Sequence, residues 1–130
     1  MDKISGGCLC GKVRFTATGK PWRVGICHCL DCRKHSGSLF GASAIFPTEA
    51  VATEGETRDH LGRHFCPECG SSVFGISEDE IEIAIGTLDE PDQFKPSYEL
   101  WTTRREGWLP EFPLAHHYER NRTRDGRTED

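Results

Sequence analysis

The sequence predicts a mostly-β single domain with few or short helices, stapled through its cysteines. Three observations carry that prediction. The seven cysteines fall into three tight clusters: Cys8 and Cys10; Cys27, Cys29 and Cys32; Cys66 and Cys69. Short runs alternate apolar and polar residues, and no long stretch shows a helical period. Fourteen glycines and seven prolines supply many turns. A chain of 130 residues fits one domain, and one this small often leans on a staple.

Each element has its own signal. The stretch Lys12-Val13-Arg14-Phe15-Thr16-Ala17-Thr18 alternates as a half-buried strand does, and Gly19-Lys20-Pro21 turns the chain. Residues 22–26 form a second strand running into Cys27. Residues 29–35 make a short helical turn closed by Ser36-Gly37-Ser38. Residues 39–46 are a strand stopped by Pro47, and the polar segment 48–56 is a loop. A strand over 60–65 feeds the Cys66-Pro67-Glu68-Cys69-Gly70 knuckle. Strands follow over 72–76, 80–85 and 98–102, the cleanest being Glu80-Ile81-Glu82-Ile83-Ala84-Ile85. Trp22, Phe40, Phe46, Phe74 and Trp101 are expected in the core.

Residues 117–130 hold eight charged side chains, four of each sign, and one large apolar-bodied residue, Tyr118. So little apolar surface does not offset the entropy of ordering, and disorder is expected there. The folded domain is therefore placed at residues 1–116.

Net charge is −5, which disfavours a nucleic-acid surface. No apolar run approaches the roughly 20 residues that span a membrane. The start, Met1-Asp2-Lys3-Ile4-Ser5-Gly6-Gly7, lacks the apolar stretch of a secretory leader. A cytoplasmic setting is expected, where clustered cysteines bind metal or do chemistry rather than pair as disulfides.

Cys-x-Cys in extended chain puts both sulfurs on one side, and Cys-x-x-Cys before a glycine lets two sulfurs converge on one ion. Four thiolates make a closed tetrahedral zinc site, and three leave a position for water or substrate. Seven thiols divide as four plus three. Spacing alone leaves the partition open: Cys8, Cys10, Cys66 and Cys69 could share an ion, or the two Cys-x-Cys pairs could. Zinc is favoured over an iron–sulfur cluster, though thiolates serve both.

Three stretches carry a resemblance. Gly7-Cys8-Leu9-Cys10-Gly11-Lys12-Val13-Arg14-Phe15, Cys27-His28-Cys29-Leu30-Asp31-Cys32-Arg33-Lys34 and Phe65-Cys66-Pro67-Glu68-Cys69-Gly70-Ser71, with Trp108-Leu109-Pro110-Glu111-Phe112 late in the chain, resemble the glutathione-dependent formaldehyde-activating enzyme family. The resemblance covers roughly residues 5–113. It implies a β-tent (Mss4-like) fold. It also implies a structural zinc on Cys8, Cys10, Cys66 and Cys69, and a catalytic zinc on Cys27, Cys29 and Cys32, two ions per chain. The implied activity is that of a carbon–sulfur lyase, joining formaldehyde to glutathione reversibly as S-hydroxymethylglutathione. The partners are then a small thiol and an aldehyde, with no nucleic acid and no membrane.

Beyond the thiols, Arg33 is a candidate for a glutathione carboxylate, weighed against a solvated surface charge; Lys34, Arg104 and Arg105 are weaker ones. His28, between two ligands, is either a proton shuttle or a residue behind or outside the site. His35 and His64 are reserve zinc ligands, His116 and His117 solvated, and Asp31 a cap for the short helix. Two alternatives stand beside the lyase reading: a structural zinc module that binds a partner protein, and the same zinc chemistry on another thiol or aldehyde.

Overall fold

Alternation decides which side chains are buried in the computed structural model, which describes residues 2–129. In β2 (Arg14–Thr18) Phe15 and Ala17 are buried, and in β9 (Glu80–Ala84) Ile81 and Ile83 are. These rows pack on Val24, Ala44, Phe46, Val73 and Phe74 to form one core. Two sheets enclose it. The small one runs β1 (Lys3–Gly7), β2, β5 (Val51–Glu54). The large one runs β11 (His116–His117), β10 (Tyr98–Leu100), β3 (Arg23–Cys27), β4 (Gly41–Pro47), β9, β8 (Ser72–Ser77), β7 (Arg63–Phe65), β6 (Arg58–His60). The α-helix among the described residues is α1 (Leu30–Ser36). The mostly-β class with a short helix is as the sequence predicts.

Three departures have physical causes. β1 has little strand signal because two of its five residues are glycine, yet both are needed: a Cβ on Gly6 would stand 2.4 Å from the Thr87 carbonyl oxygen, and one on Gly7 2.1 Å from that of Val13. β5, expected as loop, is an exposed edge strand held by β2 alone. The strand expected over 60–65 is a hairpin, since Leu61 (φ 52°) and Gly62 (φ 86°) take the two left-handed positions of a tight turn.

Of the five aromatics expected in the core, Phe46 and Phe74 are buried. Trp22, Phe40 and Trp101 are only half-buried, and Arg127 and Arg120 lie over the two tryptophan rings.

The segment after residue 116, for which composition suggested disorder, lies along β10 in this structure. The Tyr118 amide donates to the Glu99 carbonyl (2.9 Å), and the Trp101 amide to that of Arg120 (3.0 Å). Glu129 is buried and receives Arg122 Nε at 2.7 Å and the Tyr118 hydroxyl at 2.5 Å. Arg127 pairs with Asp79. Charge pairing and backbone bonds hold this segment, and a composition argument counts neither.

Candidate metal centres and the adjoining trough

The fold divides the cysteines four and three. Cys8 and Cys10 follow β1, Cys66 and Cys69 follow β7, and the four sulfurs lie within 4.8 Å of one another. Sγ separations are 3.5 Å for Cys8–Cys10 and 3.7 Å for Cys10–Cys66. A tetrahedral zinc with Zn–S bonds of about 2.3 Å puts its sulfurs about 3.8 Å apart, so the set fits such an ion. Backbone amides face the sulfurs as well: Val13 donates to Cys8, and Glu68 and Cys69 to Cys66. Gly70 takes φ 78°, which closes the knuckle. The bond with Ser71 holds the Cys69 thiol down to about 5. Cys10 is lowered by the Lys12 backbone but raised more by desolvation and its three thiol neighbours, to about 11. Thiols this close resist joint ionisation until a cation balances them.

The second set sits where β3 meets α1. Cys27 ends the strand. Cys29 is the N-cap, its sulfur accepting the Cys32 amide at 3.3 Å, and Cys32 lies in the first helical turn. Gly37 ends the helix in the left-handed region, with its amide on the Arg33 carbonyl. The three sulfurs again fall within 4.8 Å, and among the described residues no His, Asp or Glu joins them. His35 and His64 stay outside the set; His64 Nδ1 bonds Thr57 Oγ1 instead. Cys32 is raised by its bond to the Cys27 thiol and by burial, and Cys29 by burial first.

His28 lies behind these ligands, fully buried. Its Nε2 meets Glu99 Oε1 at 2.7 Å, and the other Glu99 oxygen meets His117 Nδ1. Phe112 stacks on the His28 ring and Phe40 packs edge-on. His28 Nδ1 is buried without a hydrogen-bond partner. Of the two sequence-based readings, the structure thus places His28 behind the site. His117 is engaged with Glu99 rather than simply solvated.

A trough of about 610 Å³ opens beside Cys32. Register explains it. On one face of the large sheet, Cys27 pairs with Gly41; two residues on, Gly25, Ser43 and Ala84 align; two further, Arg23, Ile45, Glu82, Gly75 and Arg63 align. Gly41, Ser43, Ala84 and Gly75 are too small to fill the face, so it stays open, walled by Cys32, His35 and Ser36 of α1. A Cβ on Gly41 would stand 3.9 Å from Cys32 Sγ, which puts this cysteine at the head of the trough.

Two of the candidate arginines, Arg33 and Arg105, have partners within the protein. Arg33 donates to the Arg104 carbonyl and pairs with Glu106 at 2.7 Å, whereas Lys34 lines the trough. Arg105 binds the Leu109 and Pro110 carbonyls and lies over Phe112. Asp31 is exposed and 3.9 Å from Arg63; the cap of α1 is Cys29. Sequence reasoning missed Glu82 and Arg63 as trough residues. Alternation marks Glu82 as facing away from the core, but only cross-strand register puts it beside Gly75 and Arg63. Glu99, an acid inside a strand, was a readable warning of a buried partner.

This arrangement of a β fold with a four-thiol and a three-thiol set defines a class of small β proteins whose cysteine clusters could hold metal. Comparison with known proteins makes it specific. The family model described as "Glutathione-dependent formaldehyde-activating enzyme" matches residues 3–104, and the chain belongs to that family. An Emericella nidulans protein named provisionally as a glutathione-dependent formaldehyde-activating enzyme is 28% identical over 81 residues, 56% of this chain and 41% of its own length. The chain thus matches less than half of that relative. The crystal structure of a Rhodobacter sphaeroides protein has a similar fold, with a TM-score of 0.55 and 16% identity over 69% of this chain and 92% of that one. Glutathione-dependent formaldehyde activation is the function by which that family is described. No helix among the described residues is long and apolar enough to cross a membrane.

Proposed function

We propose that this chain is a zinc-dependent carbon–sulfur lyase that joins formaldehyde to glutathione and reverses the reaction. The observation that carries the reading is the three-thiol set, which no His, Asp or Glu joins among the described residues, at the head of an open trough. Cys8, Cys10, Cys66 and Cys69 would hold a structural zinc, and Cys27, Cys29 and Cys32 a second one. When bound there, zinc supplies a Lewis acid that favours a substrate thiolate or polarises an aldehyde oxygen.

The chain's own residues do the rest. Cys29 and Cys32 keep two ligands on one rigid helical turn, and the Cys32 amide bonded to the Cys29 sulfur favours its thiolate. The trough walls hold the thiol so that its sulfur and the aldehyde carbon meet, and much of the rate gain is positional. In the forward direction a C–S bond forms, the carbonyl pair moves to oxygen, and the thiol proton ends on that oxygen. The reverse step breaks the same bonds. Seven unpaired thiols suit a reducing, cytoplasmic setting.

The test is metal content and turnover together. Freshly reduced protein should carry two zincs, one removable by a mild chelator and protected by glutathione. Removing it should abolish formation of S-hydroxymethylglutathione, and restoring it should recover the activity. Two zincs indifferent to chelator and glutathione would leave a structural module. Turnover with another thiol or aldehyde but not this pair would keep the chemistry and change the substrate.

A further inference from the structure

Glu82 and Arg63 face each other across a gap that nothing in the sheet fills. They are neighbours but one in a single cross-strand row, with Gly75 between them. A Cβ on Gly75 would stand 4.0 Å from Glu82 Oε2, so glycine keeps the space between acid and base clear. All three line the trough.

Neither charge is well satisfied within the protein. Glu82 makes no hydrogen bond or ion pair among the described residues, although Arg23 lies in its row. The Arg23 guanidinium is held instead by Glu80, at 3.0 and 3.1 Å. The contact Arg63 makes is to exposed Asp31, at the long distance of 3.9 Å. Glu82 keeps access to solvent through the mouth of the trough, yet desolvation raises its carboxyl, with Arg23 lowering it, Glu80 raising it and Arg63 lowering it to a smaller degree. An acid and a base so placed match a ligand end that carries both an ammonium and a carboxylate.

The distance also fits. The row of Glu82 and Arg63 lies four residues along β4 from the pairing of Gly41 with Cys27, from Ile45 back to Gly41. At about 3.3 Å per residue that is roughly 13 Å. In a tripeptide thiol with its sulfur on the central residue, one extended arm reaches roughly 7 Å from it. A Zn–S bond of about 2.3 Å and the lengths of the Glu82 and Arg63 side chains cover the rest and bring one terminus to this row.

We propose that Glu82 and Arg63 form a clamp for an α-amino-acid end, ammonium on Glu82 and carboxylate on Arg63, and so select thiols that carry such a group at tripeptide distance from the sulfur. The assignment rests on the three cysteines being the thiol end of the site.

The experiment measures equilibrium binding to the zinc-loaded full chain. The ligands are reduced glutathione and glutathione acetylated on its amino group; the proteins are the native chain, Glu82→Gln and Arg63→Met. Both positions are at least partly open to solvent, and melting curves confirm that the variants fold. Acetylation should weaken binding to the native chain about tenfold or more. It should make little difference to Glu82→Gln, which binds glutathione as weakly as the native chain binds the acetylated form. Arg63→Met should weaken both ligands together.

Equal binding of both ligands to the native chain overturns the clamp, as does undetectable binding of glutathione. A parallel turnover assay with formaldehyde and, in turn, glutathione, acetylated glutathione and 2-mercaptoethanol separates the two claims. Turnover without amino-group dependence leaves the lyase reading and removes the clamp. Amino-group-dependent binding without any turnover leaves the clamp and removes the lyase reading.

Discussion

Glu99 and His28 are bonded at 2.7 Å with side chains 3% and 0% exposed, an ionisable pair shut between the metal-ligand loop and the end of the sheet. His28 is flanked by the candidate ligands Cys27 and Cys29, while Glu99 lies on β10 and reaches His117 on β11 with its second oxygen. Removing one partner of such a pair strands the other. Glu99→Ala should therefore lower stability by about 3–5 kcal/mol, read from denaturant melts. Glu99→Gln, which keeps an acceptor for His28, should cost less. Equal losses would mean that packing, not the polar bond, holds the loop.

The two cysteine sets should respond differently to mutation. Cys66 is buried in the core, its carbonyl accepts the Gly70 amide and its sulfur two further amides. Cys66→Ser should lose the closed site's metal and the cooperative fold with it, since structural zinc contributes folding energy directly. Cys32→Ser should melt close to the native chain yet hold one zinc fewer and show no turnover. Circular dichroism and elemental analysis on the same samples check both. A Cys66→Ser chain that melts normally would remove the structural assignment.

Gly25 and Tyr98 set the spacing between β3 and β10. A Cβ on Gly25 would lie 2.2 Å from the Tyr98 ring, so Gly25→Ala must displace a buried aromatic and should cost about 1–3 kcal/mol. Burial, opposed by Arg23, also pushes the Tyr98 phenol up to about 12. The folded value is above the unfolded one, near 10. Tyr98 therefore contributes stability that is complete below about pH 10 and is lost as pH rises toward 12. Tyr98→Phe should flatten stability over that window, and melts between pH 8 and 12 would show it. Parallel pH curves for both proteins would contradict it.

A domain boundary near residue 116 remains a proposal, and truncation tests it. Removing residues 117–130 takes away His117, the partner of one Glu99 oxygen, and the buried Glu129–Arg122 pair. The shortened chain should still fold and keep both metals, with a lower melting temperature. If it fails to fold, the tail is part of the domain. If its melting temperature is unchanged, the charged contacts of the tail hold nothing in solution.

Local pattern was enough for most strands and for the donor chemistry. Alternation in β2 and β9 is a direct record of which face is buried, and Cys-x-Cys and Cys-x-x-Cys carry metal geometry in their spacing. Elements that depend on partners were not legible. β5 is a strand because β2 lies beside it. β1 tolerates two glycines because Thr87 and Val13 press against them. The tail shows no apolar signal because its contacts are charge pairs and backbone bonds, whose partners are set by position in space.

The same division runs through the site. The sequence by itself determined that seven thiols are present in clusters able to hold metal, and that the chain reads as a β protein of one family. Spacing left the partition of the thiols open and the family resemblance implied it; the tertiary structure brings Cys8 and Cys10 to Cys66 and Cys69. It also decided that His28 is shut in with Glu99, that Arg33 belongs to Glu106, and that Glu82 and Arg63 look across Gly75 into the trough. Spacing of a few residues is settled by backbone geometry that the local chain carries. Contacts across tens of residues depend on strand register, which the whole core selects at once.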